Sequence, residues 1–130
     1  MEKTDALLAL AGLAHGTRLD IFRLLVEAGP AGMAAGQIGE RLALAPATLS
    51  FHLSHLKHAG LIEAERDGRW LIYAADFERM RALVAYLTEN CCGGAPASCG
   101  LPECAPAPLA ARTATRARQG REASPRARRR

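Results

Sequence analysis

All four cysteines of the 130-residue chain fall within one short segment. Cys91 and Cys92 are adjacent, and Cys99 and Cys104 follow in a stretch rich in glycine and proline. In a reducing cytosol, clustered cysteines indicate metal binding or thiol reactivity before structural disulfides. Thiolates are soft ligands that select soft ions over Mg²⁺ or Ca²⁺. We therefore predict that these four residues form a metal site for a thiophilic ion.

The spacing of the cysteines favours trivalent arsenic or antimony, which prefers three thiolates in a trigonal pyramid. Cys91 and Cys92 supply two ligands. The Gly/Pro-containing stretch 93–98 allows Cys99 to return as the third ligand, with Cys104 as the spare. If only the adjacent pair binds, the site suits methylarsenite, which has two free valences.

Zinc is the main rival for this site, because four cysteines can build a tetrahedral centre. Adjacent cysteines rarely point at one small tetrahedral ion, however, and the chain has no Cys-x-x-Cys pair. Another soft metal, thiol redox sensing and cysteines without a function are the remaining alternatives. None of these interpretations requires a resident cofactor.

Charge and composition divide the chain into two parts. Residues 1–90 carry nine Lys/Arg and eleven Asp/Glu, a net charge of −2, whereas residues 91–130 carry eight arginines and two glutamates, a net charge of +6. Large apolar side chains are almost absent after Gly93, so this part cannot offset the entropy of ordering itself. We predict a folded domain over residues 1–92 and a flexible Cys/Pro/Arg-rich tail over residues 93–130. The arginines would be solvated or would add sequence-independent attraction to nucleic acid.

The apolar run near the N-terminus does not indicate a signal peptide. Leu7–Ala14 follows Glu2 and Asp5 and leads directly into an amphipathic pattern, which favours a buried helix. No apolar run approaches the roughly 20 residues that span a bilayer. We expect a cytoplasmic protein without a membrane partner.

Apolar periodicity predicts two helices at the start of the chain. Thr4 is the expected cap of the first and Thr17 of the second, which stops at Gly29-Pro30. The second helix is apolar almost all round, and its charged residues Arg18, Asp20, Arg23 and Glu27 are expected to face outward. The expected buried side of the first helix consists of Leu7, Leu8, Leu10 and Leu13.

Two short helices and a hairpin follow. The helices are expected over about Ala34 to Leu42 and from near Pro46 to about His58, with proline in the first turn of the second. Alternating runs then flank Asp67-Gly68, the strongest short-range signal for a two-residue hairpin loop. A last helix, capped by Asp76, is expected to reach about Asn90, where the thiol pair begins. Its expected apolar stripe is Met80, Leu83, Val84 and Leu87.

This order of elements is the plan of a winged helix-turn-helix, mainly α with a β-hairpin wing. Small and hydrogen-bonding side chains on the outer face of the second short helix suit the base edges of a major groove. The wing carries Arg66 and Arg69, which suit phosphate or minor-groove contacts. The three histidines of the helix are expected to contact DNA or to face solvent rather than to bind a metal. The residues expected to face outward are Ala47, Thr48, Ser50, Phe51, Ser54 and His55.

Three runs of sequence resemble the ArsR/SmtB family of metal-responsive repressors. One is Leu13–Leu19, the second extends from Ala47 through Ser50-Phe51-His52-Leu53 to Ile62, and the third is Arg66–Arg69 in the wing, with Tyr73 beside it. The likeness covers about residues 5–92. It implies a homodimer, paired through its first and last helices, that sits on double-stranded operator DNA and leaves when its inducer binds. The candidate DNA-binding residues are Ala47, Thr48, Ser50, Phe51, His52, Ser54, His55, Arg66 and Arg69.

The chain departs from two inducer sites of that family. We call the second short helix, from near Pro46 to about His58, the recognition helix. The helix before it contains no cysteine, so the family's inducer site with a Cys-x-Cys pair in that helix is absent. The last helix contains Asp76 and Glu78 but no histidine, so a zinc site of Asp and His ligands is not supported. The pair Cys91-Cys92 followed by Cys99 resembles the arsenic-responsive subgroup with a Cys-Cys pair at the end of the last helix.

Two other classes of protein are weighed against a repressor. One is a protein-interaction module with a winged helix, and the other is an arsenic-handling enzyme or thiol carrier. A reductase needs a nucleophilic thiol at a helix N-terminus, whereas these thiols follow a helix C-terminus, where the dipole raises the thiol pKa. We therefore expect that the protein is not an enzyme.

Overall fold

The computed structural model describes residues 1–94. Met1–Leu87 form one compact unit, and Thr88–Gly94 belong to a second. The predicted winged helix-turn-helix is confirmed: the fold is mainly helical with a three-stranded antiparallel sheet. In chain order the elements are α1 (Lys3–Leu13), α2 (Gly16–Ala28), β1 (Met33–Ala34), α3 (Ala35–Leu42), α4 (Pro46–His58), β2 (Ile62–Asp67), β3 (Trp70–Ala75), α5 (Phe77–Leu87) and a 3₁₀ helix (Cys91–Gly94).

The first two helices begin two residues earlier than caps at Thr4 and Thr17 would require, so both predicted caps are wrong. α1 follows Glu2, whose side chain makes no capping hydrogen bond, so the cap predicted at Thr4 is wrong. α2 is capped by His15, whose Nδ1 accepts a hydrogen bond from the backbone N–H of Thr17 at 3.2 Å. An imidazole nitrogen thus supplies the acceptor that a hydroxyl normally provides at this position.

α1 packs mainly through its small residues, and Leu13 is the one leucine of this helix that packs against the described core. Its buried residues are Ala6, Ala9 and Gly12, and a Cβ on Gly12 would lie 2.7 Å from the Cβ of Ala59. Because α1 approaches the end of α4 this closely, larger side chains are displaced to its other faces. The prediction of a buried leucine side is therefore wrong for Leu7, Leu8 and Leu10, which are exposed, whereas Leu13 is partly buried against the core. Within residues 1–94, no helix is both long and apolar enough to cross a membrane.

The core lies between α2, α4 and the sheet. Its largest fully buried side chains are Ile21, Leu25, Ile38, Leu56 and Leu61. Leu49, Leu53 and Leu56 face inward along α4, as their spacing predicts. This stripe fixes the rotation of α4 and thereby decides which of its side chains point outward.

A tight turn sets α4 against α3. Ala43 adopts the left-handed conformation with φ of 52°, and the N–H of Leu44 donates to the carbonyl of Gly39 at 3.0 Å. Pro46 occupies the first turn of α4 as predicted. At the other end, the left-handed conformation of Gly60, with φ of 74°, terminates α4. Glycine suits this position because an L side chain would be strained there.

The wing is a hairpin of β2 and β3, and β1 adds a short third strand to β3. Asp67 pairs with Trp70, so the loop consists of Gly68 and Arg69. The predicted loop, Asp67-Gly68, was one residue too early. Gly68 has φ of 61°, and a glycine at the first loop position suits a type II′ turn, whereas Asp-Gly suits type I′.

α5 begins as predicted and ends early. The backbone N–H of Arg79 donates to Oδ1 of Asp76 at 2.9 Å, which confirms Asp76 as the cap. The helix ends at Leu87 and not near Asn90. Asn90 has φ of 54°, outside the helical region, and the cysteine pair begins a separate 3₁₀ turn. Of the predicted apolar stripe only Leu83 is buried; Met80 is partly buried, and Val84 and Leu87 are exposed.

Candidate nucleic-acid interface and thiol pair

The outer face of α4 carries the side chains that the sequence assigned to it. Small apolar and hydroxyl groups occupy its N-terminal half, and aromatic rings follow in the middle. Because the leucine stripe is anchored in the core, this face is presented on a rigid element. The exposed residues are Ala47, Thr48, Ser50, Phe51, Ser54 and His55, as predicted.

Phe51 is the largest apolar side chain of this face, and 60% of its surface is exposed. Its ring meets the edge of His55, one helical turn later, with centroids 4.6 Å apart and an interplanar angle of 66°. A second edge contact reaches His52 at 5.6 Å. These edge contacts restrict the orientation of the Phe51 ring, which is flanked by polar side chains.

His52 does not share the exposed face. Only 7% of its surface is exposed, and its ring packs against His15 with centroids 4.7 Å apart. The expectation that His52 lies on the exposed face of α4, where it would contact DNA or solvent, is therefore wrong. The signal for burial was present in the sequence: His52 lies three residues after Leu49 and four before Leu56, on the stripe that faces the core.

The environment of His52 disfavours its charged form. Its Nδ1 is buried without a hydrogen-bond partner. Burial lowers the pKa of His52 below the usual 6.5, and the charges of His15, Arg18 and His55 lower it further. A neutral imidazole therefore lies at the junction of α4 with the start of α2.

Arg18 joins the end of α1 to the start of α2, a role that the sequence did not reveal. Its Nε donates to the carbonyl of Gly12 at 2.7 Å, and its Nη2 donates to the carbonyl of Ala11 at 3.3 Å. A cation at the last carbonyls of a helix satisfies acceptors that have no partner within the helix and also complements the helix dipole. Arg18 thereby stabilises the junction that lies under the recognition helix.

The wing presents its two arginines to solvent. Arg69 lies in the hairpin loop and Arg66 near the end of β2. Alternation along β2 places Arg66 on the face opposite to Glu65 and Asp67. Trp70, next to the loop, is 58% exposed. The tip of the wing therefore carries Arg69 in its loop and Arg66 on one face of the hairpin, whereas Trp70 lies opposite Asp67 on the other face.

The two described thiols lie close together. Cys91 Sγ and Cys92 Sγ are 3.4 Å apart, within hydrogen-bond distance for sulfur. The backbone N–H of Cys91 donates to the carbonyl of Thr88 at 3.0 Å. The hydrogen bond to Cys91 raises the pKa of the Cys92 thiol, and desolvation and the charge of Cys91 raise it further.

The remaining predicted ligands, Cys99 and Cys104, lie outside the described residues, as does the arginine-rich segment. Over residues 1–94, no group of three or more His, Cys, Asp or Glu side chains is arranged to hold a metal ion. The histidines of α4 thus form no such group with other described residues. The pair Cys91-Cys92 supplies two thiols, and a three-thiolate site needs one ligand from the remainder of the chain.

Comparison with known proteins places residues 13–65 in a helix-turn-helix domain family. The chain is 34% identical over 73 residues to an uncharacterised HTH-type transcriptional regulator of Methanocaldococcus jannaschii, covering 56% of this chain and 80% of that protein. It superimposes with a TM-score of 0.58 on an ArsR-like transcriptional regulator from Rhodococcus sp. RHA1, at 26% identity over 65% of this chain and 76% of the other. A homodimeric winged helix-turn-helix domain from Mycobacterium bovis, a possible ArsR-family regulator, gives 0.54 at 30% identity, over 68% and 82%.

Proposed function

The chain belongs to the ArsR-like helix-turn-helix transcriptional regulators, and from this premise we propose that it is a metalloid-responsive repressor. It binds operator DNA as a homodimer and leaves the operator when trivalent arsenic or antimony binds its thiols. Cys91 and Cys92 are the first two ligands, and Cys99 or Cys104 is the third. The observation that carries the DNA-binding part is the exposed face of α4, which is held in place by a buried leucine stripe.

The chemistry of that face supports major-groove binding. Hydroxyl groups at Thr48, Ser50 and Ser54 donate and accept hydrogen bonds, as base edges require. Ala47 is small enough to let the helix backbone approach the bases. Arg66 and Arg69 of the wing are suited to the phosphates beside the groove. His52 is buried and has no place among the proposed contacts.

Exposed apolar side chains on α1 and α5 support a homodimer. Leu7 and Leu87 are 57% and 60% exposed, and Leu8, Leu10 and Val84 are also exposed. Several large apolar side chains exposed on two helices of a small domain favour an interaction surface. The two helices are in contact, and Arg79 of α5 lies 3.4 Å from the carboxylate of Asp5 in α1. A two-fold arrangement of this surface would place one α4 on each half-site of the operator.

The proximity of the two thiols supports a shared ion. Cys91 Sγ and Cys92 Sγ are 3.4 Å apart, so both can contact one bound ion after a small side-chain rotation. Trivalent arsenic and antimony prefer three thiolates, of which this pair supplies two. Zinc would need four ligands, and residues 1–94 group no further His, Cys, Asp or Glu side chains with the pair.

The position of the thiols in the chain supports coupling to DNA. Three residues separate the end of α5 at Leu87 from Cys91. If α5 lies in the dimer interface, a metalloid that ties the thiols to a later cysteine alters the pairing of the two subunits. A change in half-site spacing removes contacts on one side. A hundredfold loss of operator affinity requires about 2.7 kcal/mol of coupling, within the usual allosteric range.

The experiment uses the full-length chain and an operator selected from random duplexes. Fluorescence anisotropy follows release of the labelled operator as arsenite or antimonite is added. We expect release from the wild type and retention by the double variant Cys91→Ser/Cys92→Ser. Cys99→Ser and Cys104→Ser, made singly, identify the third ligand, because only loss of that ligand weakens the response. Release that survives in the double variant would rule out these ligands.

A thiol redox regulator is the second candidate, favoured by the same short sulfur–sulfur distance. Sulfurs 3.4 Å apart can be joined by an oxidant, although adjacent Cα atoms lie about 3.8 Å apart, below the usual range for a disulfide, so the bond would be strained and readily reduced. Hydrogen peroxide, methylarsenite and zinc are therefore added separately in the same assay. Release by peroxide alone, reversed by dithiothreitol, would favour redox control, whereas release by zinc alone would favour a zinc sensor.

A further inference from the structure

The one large apolar side chain on the outer face of α4 is Phe51. Its neighbours on that face are hydroxyl groups, a methyl group and an imidazole. More than half of its ring is in water, although burying an aromatic ring is one of the largest stabilising contributions available to a side chain. The described core does not use this ring. Its exposure is therefore explained best by a surface that covers it in a complex.

The ring is held for contact by its neighbours. His55, four residues later, meets Phe51 edge-on at 4.6 Å, and His52 meets it at 5.6 Å. Side chains four residues apart on a helix restrict each other, so the ring does not swing freely. His52 is itself buried against His15, which anchors the aromatic group to the core. The apolar ring thus projects from α4 in a defined direction.

The floor of a major groove contains one apolar feature. Its other exposed groups are hydrogen-bond donors and acceptors, whereas the methyl group on C5 of thymine is recognised by apolar contact, phenylalanine included. A phenyl ring cannot accept or donate the hydrogen bonds that guanine, adenine or cytosine edges offer. The methyl group is therefore the base-edge feature that Phe51 is suited to cover.

We infer that Phe51 reads the C5-methyl group of a pyrimidine in each operator half-site, with His55 holding the ring in place. The inference rests on the proposed function, since it needs α4 in the major groove. Thymine and 5-methylcytosine carry the same methyl group at the same place in the groove. Phe51 therefore determines sequence specificity at one position, while the hydroxyl groups of α4 read the neighbouring bases.

The test removes one methyl group at a time. Full-length protein selects an operator from random duplexes, and each thymine is then replaced by deoxyuridine, which keeps every hydrogen-bonding group. We expect one position per half-site to lose about fourfold in affinity, the equivalent of about 0.8 kcal/mol for one methyl-sized group. The same thymine·adenine pair is then replaced by 5-methylcytosine·guanine and, separately, by cytosine·guanine. The ratio of the two affinities measures the contribution of the methyl group when cytosine carries it.

A double-mutant cycle assigns the effect to the ring. Phe51→Ala should bind the thymine and deoxyuridine operators equally, whereas Phe51→Leu should keep part of the preference because it remains apolar. Lys57→Ala, an exposed change near the end of the same helix, should leave the ratio between the two operators unchanged.

Three results would contradict these proposals in distinguishable ways. A selected operator that tolerates deoxyuridine at every position overturns the methyl contact and leaves the repressor standing. A deoxyuridine effect that persists in Phe51→Ala assigns the methyl contact to another side chain and also overturns the inference. If no duplex is selected at any salt concentration, the proposed function fails together with the inference.

Discussion

Residues 1–94 contain the whole outer face of α4 but only two of the proposed metalloid ligands, Cys91 and Cys92. The face of α4 is positioned by leucines that are almost fully buried, and its side chains project from one regular helix. The thiol pair lies in a short 3₁₀ turn and supplies two ligands where a metalloid prefers three. The outer face of α4 is thus built by the fold, whereas the proposed metalloid site would need a further ligand from the rest of the chain. Such a division suits a regulator, because DNA binding needs a fixed surface and release needs a site whose ligands assemble on binding.

The largest expected difference in stability between the two regions comes from the core that supports α4. Leu56→Ala removes a side chain that is fully buried and should lower the free energy of unfolding by about 2–5 kcal/mol. Cys91→Ser/Cys92→Ser should change it little, since these residues belong to a separate unit. Thermal denaturation at one fixed protein concentration compares the variants, because dimerisation makes the midpoint depend on concentration. Equal losses in both variants would contradict the separation of the two regions.

The close approach of α1 to α4 should give the next largest effect. Gly12→Ala places a methyl group 2.7 Å from Ala59 and should cost about 1–3 kcal/mol through overpacking. Gly16→Ala is the matched control, because a Cβ there meets nothing within 4 Å. Urea denaturation of the two variants measures the difference. A Gly12 variant as stable as the control would show that α1 can move away from α4 without cost.

Acid should destabilise the recognition helix through His52. Its pKa in the folded protein lies below the usual 6.5, so the unfolded chain binds the proton first as the pH falls. The stability present above pH 6.5 is therefore lost as the pH falls toward the folded pKa. His52→Gln should flatten this part of the pH profile, and His58→Gln, at an exposed position, should not. A wild-type profile that does not change below pH 6.5 would contradict the assignment.

The smallest predicted effect concerns the protons of the thiol pair. Because the pKa of Cys92 is raised, its thiol is protonated at neutral pH. Arsenous acid is neutral, and each thiol that replaces one of its hydroxyl groups gives up its proton to the departing hydroxide, which leaves as water. Arsenite affinity should therefore change little with pH near neutrality, whereas zinc affinity should rise with pH because zinc displaces thiol protons into solution. Calorimetric titrations in buffers of different ionisation enthalpy count released protons, and net proton release on arsenite binding would contradict this reaction.

Periodicity and turn chemistry predicted the parts of the fold that depend on local signals. The bounds of α4 and the cap at Asp76 follow from Pro46, the leucine spacing and a carboxylate before a helical run. The outer face of α4 followed in turn, because the rotation of a helix is fixed once its buried stripe is known. The DNA-reading candidates other than His52 thus lay where the sequence placed them, and their contacts with DNA stay predictions.

The errors arose where packing decided the outcome. The leucines of α1 were expected inside, but the close approach of Gly12 to Ala59 favoured small residues there. His52 was grouped with His55 and His58 as a histidine that contacts DNA or faces solvent, although its spacing from the leucine stripe indicated the core. The third thiol ligand depends on the chain beyond Gly94, and Cys99 therefore stays a prediction.

Metalloid binding at the thiols should be coupled to DNA binding by the outer face of α4. The reciprocity of the two binding free energies tests this coupling most directly. If arsenite weakens operator binding about a hundredfold, operator must weaken arsenite binding by the same factor. Arsenite affinity is therefore measured for the full-length protein, free and saturated with its operator, at one salt concentration. We predict tighter arsenite binding to the free protein and equal factors from the two measurements. The same arsenite affinity in both states would contradict the coupling.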